Sequence, residues 1–275
     1  MACPPESAQT DHVERTRVYD RLAGSARLGL DRAAVAETAT KYEMYDDGRP
    51  PLPLPYNLPD AVRLLCVGLH GLEGGDDLRD AAAAACDAFV KALPPGYRVH
   101  RNPPASYHVS VFHTGQPSEF RPKSADAVAE EVAVATALVA ATAPVKVVVD
   151  RLVLAASGVL LLLLTAPGGG PSPVDDLRRR CRAAWPDAPA KQTTYVMHVS
   201  LCRILEIPPA TQGKALLLEE WALVMEGVEK LSENLRDMRA TLRTVWHVCE
   251  RMQMTCGDKD MDCIVTNLPL GSDLG

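Results

Sequence analysis

SYHVSVFH, at residues 106–113, and TYVMHVSLCRIL, at residues 194–205, are the two stretches of this chain that decide its fold. Both are rich in β-branched, aromatic and aliphatic residues, a composition that favours strands. Both also contain the tripeptide His-Val-Ser, at residues 108–110 and 198–200. Two such tripeptides with apolar flanks arise by accident in roughly one chain in a hundred of this composition. The repetition therefore indicates two related halves.

The segments that precede the two strands repeat as well. Residues 61–69 form an apolar run typical of a strand, and the alanine-rich residues 76–93 predict a helix before the first histidine strand. In the second half, a strand that ends at Thr165 and a helix at residues 172–185 precede the second histidine strand. Two strand–helix–strand units predict an α+β fold with two lobes, in which two antiparallel sheets with flanking helices surround a central cleft.

The rest of the chain fits around these halves. Its pattern predicts a helix at residues 123–143, a β-hairpin at 145–166, a long helix at 208–242 and a last strand at 243–252.

These elements divide the chain into three parts. We predict a polar helical extension at residues 1–45, the two-lobed domain at residues 46–255 and a mobile polar tail at residues 256–275.

Composition and charge narrow the classes of function. The chain has 275 residues and a formal net charge of −6, which provides no global field for holding a long nucleic-acid duplex. The N-terminus has no apolar stretch typical of a signal peptide, and the apolar run at residues 152–166 is too short for a bilayer. We therefore expect a cytoplasmic monomer that binds neither membranes nor long duplexes.

The eight cysteines include no C-x-x-C pair, so we expect reduced, mostly buried thiols rather than disulfides or a zinc site. Cys249, Cys256 and Cys263 follow one another at seven-residue intervals near His247, which is the one spacing that suggests a metal. We favour the interpretation that these three cysteines are free thiols in the core and the tail rather than metal ligands.

Strand geometry places the polar residues of each tripeptide together. Residues i and i+2 of a strand face the same side, so His108 lies beside Ser110, and His198 lies beside Ser200. The valine between them faces the core. If the lobes are related by a pseudo-twofold axis, both polar pairs converge on the cleft.

Two histidines and two serines suit phosphodiester chemistry. One imidazole can take a proton from the attacking oxygen while the other gives a proton to the leaving oxygen. The hydroxyls of Ser110 and Ser200 can donate hydrogen bonds to phosphate oxygens. His108 and His198 are thus the predicted catalytic pair, with no metal or cofactor, and the sequence leaves open which is the acid.

At this point the chain resembles the 2H phosphoesterases, a superfamily marked by two H-h-[ST]-h motifs. The motifs here are HVSV at residues 108–111 and HVSL at residues 198–201, and the resemblance covers residues 42–255. PPASYHVSVF, at residues 103–112, and CERMQM, at residues 249–254, are similar to one branch of the superfamily without an assigned substrate. That branch has Gly-Asn-Thr where this chain has Tyr56, Asn57 and Leu58. The resemblance implies a small nucleotide or RNA-end substrate, such as a 2′,3′-cyclic phosphate or a 2′-5′ linkage.

Other residues near the motifs have structural interpretations that we favour. Tyr107 and Tyr195 could stack on a base, but strand parity points both away from the histidines and favours packing. By the same parity His113 faces away from His108, and His247 is expected to be structural. Five cations could hold a terminal phosphate, although solvated surface is expected for each. They are Arg98, Arg101, Arg151, Lys191 and Arg203.

Two further classes of function stay open. The first is a non-catalytic protein that binds nucleotides or RNA ends in the same groove. The second is an interaction protein whose helices at residues 1–45 or 208–242 form the functional surface, in which case the histidines are structural. Ligation at a 2′-5′ linkage is a variant of the catalytic hypothesis, since it uses the same groups.

Overall fold

The structure is a computed structural model that describes residues 6–170, 172–189, 196–209, 214–258 and 260–271. Within these ranges the helices are α1 (Glu6–Ser25), α2 (Arg32–Ala39), α3 (Gly75–Ala92), α4 (Ala125–Ala140), α5 (Pro173–Ala184) and α6 (Lys214–Leu235). The strands are β1 (Tyr42–Glu43), β2 (Leu52–Pro53), β3 (Val62–Gly68), β4 (Arg98–Arg101), β5 (His108–His113), β6 (Val145–Leu154), β7 (Val159–Thr165), β8 (His198–Glu206), β9 (Arg239–Leu242), β10 (Thr244–Glu250) and β11 (Cys263–Pro269). Among the described residues, no helix combines the length and the apolarity needed to cross a membrane.

Two antiparallel sheets form the two lobes. The first has the strand order β11-β10-β3-β5, and the second has the order β4-β8-β7-β6-β9. All seven residues of β3 are buried, as are six of the seven in β7, which explains why both read as continuous apolar runs. A separate two-stranded sheet joins β1 to β2.

Helices α3, α4 and α5 cover sheet faces that point away from the cleft. Leu78 and Phe89 of α3, Ala135 of α4 and Leu177 of α5 belong to one large apolar core, which also contains the motif valines. Local sequence fixes where two of these helices begin. Ser124 accepts a hydrogen bond from the backbone of Ala127 at 3.2 Å, and Pro173 follows the capping residue of α5.

The predicted α+β class with two antiparallel sheets and flanking helices is confirmed. The strand at 61–69, the helices at 76–93 and 172–185, the hairpin and both histidine strands are also present. Two predictions are wrong. The long helix ends at Leu235 rather than at residue 242, because residues 239–242 pair with β6 as β9.

The second wrong prediction is the mobile tail after residue 255. Cys263–Pro269 forms β11, which pairs along its whole length with β10 and closes the edge of the first sheet. Thr255 and Cys256 are buried in the turn that leads to it. The described part of this segment is therefore integral to the first lobe.

Helix α1 lies on the cleft face of the second sheet. Its Tyr19 joins a small apolar cluster with Val153, Val159, Leu161 and Leu163 of the β6–β7 hairpin. The Tyr19 hydroxyl lies 2.6 Å from the carbonyl oxygen of Leu164 and 2.9 Å from that of Met197. Because Met197 precedes His198, this helix is anchored next to the second motif.

Glu250, at the end of β10, gives the fold a testable pH dependence. Its side chain is buried, accepts a hydrogen bond from the Tyr56 hydroxyl at 2.9 Å, and has a pKa raised by burial to about 7. An unfolded glutamate has a pKa of about 4.3, so the folded state retains a proton that the unfolded state loses as pH rises between these values. Stability conferred by the neutral carboxyl is therefore full below about pH 4.3 and lost by about pH 7.

Glu250→Gln is expected to remove this loss. From pH 5 to pH 8 the free energy of unfolding of the variant should rise relative to wild type by on the order of 2 kcal/mol. Urea denaturation at both pH values measures the difference, with the exposed Glu219→Gln as the matched control. Equal pH slopes for wild type and Glu250→Gln would contradict the interpretation.

Candidate active site

The two His-Val-Ser strands present their polar residues in the same alternation. Along β5, His108 and Ser110 are half-buried and Val109 is buried. Along β8, His198 and Ser200 are likewise half-buried on either side of a buried valine. The two polar pairs thus lie on the sheet faces opposite the helical core.

The fold brings these strands together although they belong to different sheets. Strand β5 is the edge strand of the first sheet, β8 is next to the edge of the second, and the two contact each other. The positive charge of His108 lowers the pKa of His198, so the two imidazoles are close enough to interact electrostatically. His108, Ser110, His198 and Ser200 are therefore assembled around one place.

A β-bulge follows each motif and changes which later residues face the cleft. Cys66 pairs with Ser110 and Leu65 with Phe112, so Val111 is the extra residue in β5. Leu161 pairs with Ser200 and Leu160 with Cys202, so Leu201 is its counterpart in β8.

The prediction that His113 faces away from His108 is wrong, because the bulge at Val111 reverses the parity of the strand. His113 lies on the cleft side, and Arg203 occupies the equivalent position five residues after His198. The expectation that Arg203 is a solvated surface cation is wrong, because its side chain is half-buried on the histidine face.

Arg203 is a cation that lies near both motif histidines. Its charge lowers the pKa of both His108 and His198. Its Nε atom is buried and has no hydrogen-bond partner among the described residues. A guanidinium so placed can offer a forked pair of donors to a phosphate.

Arg178 of α5 is a site residue that sequence reasoning missed. It is buried, and it donates hydrogen bonds to the carbonyl oxygens of Ser110 at 2.7 Å and Val111 at 3.3 Å. Asp175 lies 3.4 Å from Arg178 and also pairs with Arg15 of α1 in a buried contact. The spacing of Asp175 and Arg178 on a helix was visible in the sequence, but nothing there indicated that they are buried under the first motif.

The two histidines have opposite electrostatic environments. Burial lowers the pKa of His198 to about 4, and the nearby charges of Arg178, His108 and Arg203 contribute to that lowering. Burial also lowers the pKa of His108, but the Cys256 side chain and the Ser106 carbonyl outweigh it and hold that pKa above the ordinary value. The Ser106 carbonyl oxygen lies 2.7 Å from Nδ1 of His108. His198 is thus neutral near pH 7.

The remaining candidates have other roles. Tyr107 is buried in the main core, as predicted, and His247 is buried with Nε2 2.8 Å from a carboxylate oxygen of Glu131, which confirms its structural interpretation. Lys191 and Tyr195 lie outside the described residues. Three of the predicted cations contact carboxylates: Arg98 lies 3.6 Å from Glu206, Arg101 2.8 Å from Asp87 and Arg151 2.9 Å from Asp20.

In the part of the chain that the structure describes, Cys249, Cys256 and Cys263 do not form one group of metal ligands with His247, although the Cys249 sulfur lies 4.0 Å from Nδ1 of His247. Among the described residues, the group with metal-ligand spacing is Cys66, His108 and Cys256, whose donor atoms all lie within 4.8 Å of one another. Two of its members are 190 residues apart in the chain, which is why spacing did not reveal it.

No family model and no curated protein matches this sequence. Solved structures do match it. TT0787 of Thermus thermophilus is 14% identical over 77% of this chain and 99% of its own, with a TM-score of 0.50. Usb1 of Kluyveromyces marxianus is 12% identical over 77% and 99%, with a TM-score of 0.46. LigT of E. coli, solved with NADP+, is 13% identical over 77% and 98%, with a TM-score of 0.42. At these identities the likeness concerns the fold.

Proposed function

From the premise that the chain has the two-lobed fold of the 2H phosphoesterase superfamily, we propose that it is a metal-independent phosphodiester hydrolase acting on a nucleotide or RNA end. The observation that carries the proposal is the meeting of two His-Val-Ser strands, one from each sheet, with both polar pairs on the cleft side. Two imidazoles and two hydroxyls suit a phosphodiester, and the resemblance to this superfamily implies a 2′,3′-cyclic phosphate or a 2′-5′ linkage as the substrate class.

His198 is the proposed general base. Because its pKa is lowered to about 4, the imidazole is neutral near pH 7 and can accept a proton from the attacking water. The water oxygen bonds to phosphorus as the bond to one ribose oxygen breaks. His108 then donates a proton to that departing oxygen.

The serines and arginines have supporting roles. The hydroxyls of Ser110 and Ser200 donate hydrogen bonds to non-bridging oxygens, on which charge accumulates as phosphorus becomes five-coordinate. Arg203 supplies positive charge near both histidines. Arg178 donates hydrogen bonds to the carbonyl oxygens of Ser110 and Val111 and so holds the backbone of the first motif in place.

The proposed partners are small. A net charge of −6 provides no global field for a polyanion, so the proposed substrate is a nucleotide or a short RNA end rather than a long duplex. Cys66, Cys86, Cys181, Cys202, Cys249, Cys256 and Cys263 are free thiols. Free thiols suit a reducing compartment, so we place the protein in the cytoplasm.

The first experiment offers wild-type protein a panel of 2′,3′-cyclic nucleotides, 2′-5′ and 3′-5′ oligonucleotides and cyclic dinucleotides in the presence of EDTA. The His108→Ala/His198→Ala double variant, prepared in parallel, serves as the blank for contaminating nucleases. Turnover of one substrate class above this blank is the expected result, and chromatography of the products gives the bond cleaved. Ligand binding without turnover on any member would favour the non-catalytic binding protein instead.

Arg203→Ala tests the proposed phosphate contact. Loss of a charge-assisted hydrogen bond is worth about 1.5–3 kcal/mol, so kcat/KM should fall by roughly 10- to 100-fold. Arg203→Lys should recover only part of the loss, because an ammonium cannot reproduce the fork. Arg101→Ala on the adjacent strand β4, where the arginine pairs with Asp87, is the matched control. Equal kcat/KM in Arg203→Ala and Arg101→Ala would remove Arg203 from the site.

A further inference from the structure

Two buried thiols lie against the first motif histidine. The sulfurs of Cys66 and Cys256 are 3.5 Å apart, and a ring nitrogen of His108 completes a group whose donor atoms lie within 4.8 Å of one another. Cys66 is fully buried and Cys256 is 8% exposed. The hydrolytic mechanism uses neither thiol.

The backbone explains why these residues meet. Cys66 pairs directly with Ser110 in the ladder between β3 and β5, so it faces the same side as the motif. Cys256 lies in the turn between β10 and β11. It packs against Leu64, Trp246 and Val248, on the same face of the sheet as Cys66. The turn requires a glycine at position 257 for two reasons. Gly257 has a φ of +77°, which other residues rarely adopt, and a Cβ atom there would lie 2.8 Å from the Trp246 ring.

The spacing suits a tetrahedral metal ion. Two thiolates bound to zinc at about 2.3 Å lie about 3.8 Å apart, whereas the sulfurs of a disulfide are about 2.05 Å apart. The observed 3.5 Å is much closer to the first arrangement.

His108 is oriented as a metal ligand as well. The Ser106 carbonyl, 2.7 Å from Nδ1, holds the hydrogen of the neutral ring on that nitrogen and leaves the lone pair on Nε2. A carbonyl behind the ring is the usual outer partner of a metal-bound histidine.

We propose that Cys66, Cys256 and His108 form a binding site for one zinc ion, with the fourth position open toward Ser110 and the cleft. Thiolate and imidazole donors select zinc over magnesium or calcium, which prefer oxygen. As zinc binds, each thiol gives one proton to solvent and both sulfurs bond to the ion as thiolates, while His108 contributes its Nε2 lone pair. Two thiolates balance the charge of the dication.

The site would make zinc an inhibitor, a consequence that rests on the proposed function. A lone pair bound to zinc cannot exchange a proton with a substrate oxygen, so the metal-loaded protein would lack its acid. Hydrolysis would then be active in the metal-free protein and switched off by zinc.

Binding is tested on the full-length chain, made metal-free and kept reduced with a phosphine. Zinc is titrated in competition with a chromophoric chelator, and Co2+ replaces it for absorption spectroscopy. The expected result is one ion per chain and a thiolate-to-cobalt charge-transfer band, with affinity weakened by about a hundredfold or more in Cys256→Ser and Cys66→Ala. Cys86→Ala is the control, since that buried thiol contacts Cys202 instead. Circular dichroism checks each fold, and Cys256→Ser, in a turn, remains informative if Cys66→Ala does not fold.

Absence of bound zinc in wild type, or affinity unchanged in folded Cys256→Ser, would overturn the site. The spectroscopic readout requires no turnover, so its failure is distinguishable from failure of the proposed hydrolase. If the panel yields a substrate, stoichiometric zinc should inhibit wild type and Cys86→Ala, EDTA should restore both, and Cys256→Ser should resist inhibition.

Discussion

Turnover is expected to fall by about 10²- to 10⁴-fold when either His198 or His108 is replaced with alanine, because each change removes one partner of a general acid–base pair. The two losses should differ in their dependence on the leaving group. A nitrophenyl ester departs without a proton, so it should restore much of the rate of His108→Ala. The same ester should leave His198→Ala slow, since water still needs a base.

The pH profile provides a second readout of the same pair. With its pKa lowered to about 4, His198 is protonated only below that value, so kcat/KM of wild type should fall as pH drops through about 4. This acid limb should disappear in His198→Ala. Arg101→Ala, which changes an exposed residue of β4 paired with Asp87, is the matched control and should retain the wild-type profile. Unchanged rates in either motif variant, with folding verified by thermal melting, would refute paired-histidine catalysis.

The largest effect on stability is expected from Asp175→Asn. Asp175 is 2% exposed and faces two buried guanidinium groups, Arg15 of α1 and Arg178 of α5. Asparagine keeps the size but removes the charge, and breaking a buried ion pair from one side costs about 3–5 kcal/mol. Urea denaturation should show a loss of that order. Asp176→Asn is the control on the same helix, because that carboxylate is 54% exposed and contacts Arg180 at the surface.

Asp175→Asn should also lower activity per folded molecule. Arg178 holds the carbonyls of Ser110 and Val111, and its position depends on Asp175. Assays at low temperature, where the variant stays folded, separate this effect from unfolding. If Asp175→Asn proved as stable as Asp176→Asn, the charges of Arg15 and Arg178 would not depend on Asp175 for their compensation, and the interpretation would be wrong.

The architecture could be predicted from the sequence because the patterns that indicate its strands and helices are local. The His-Val-Ser tripeptides, the apolar run of β3 and the proline pairs before β5 each determine nearby backbone, and the duplicated order follows from them. Short strands without an apolar run were missed, as in β4 and β9, which depend on pairing with distant β8 and β6.

The site was less predictable because its second layer depends on contacts between distant segments. A bulge inserts one residue without any mark in composition, so Arg203 and His113 could not be placed by parity alone. Arg178 and Cys256 reach the first motif only after α5 and the β10–β11 turn have packed.

The strand order has a consequence for how the chain folds during synthesis. Strand β3 pairs with β10, about 180 residues later, and β4 pairs within the second sheet with β8, about 100 residues later. Neither lobe can close its sheet from its own stretch of chain, so a nascent protein must wait for nearly its entire length to leave the ribosome. Contacts of such long sequence separation slow folding and leave strand edges exposed meanwhile. The halves that share a motif are thus one cooperative unit, and neither is expected to survive as a separately expressed fragment.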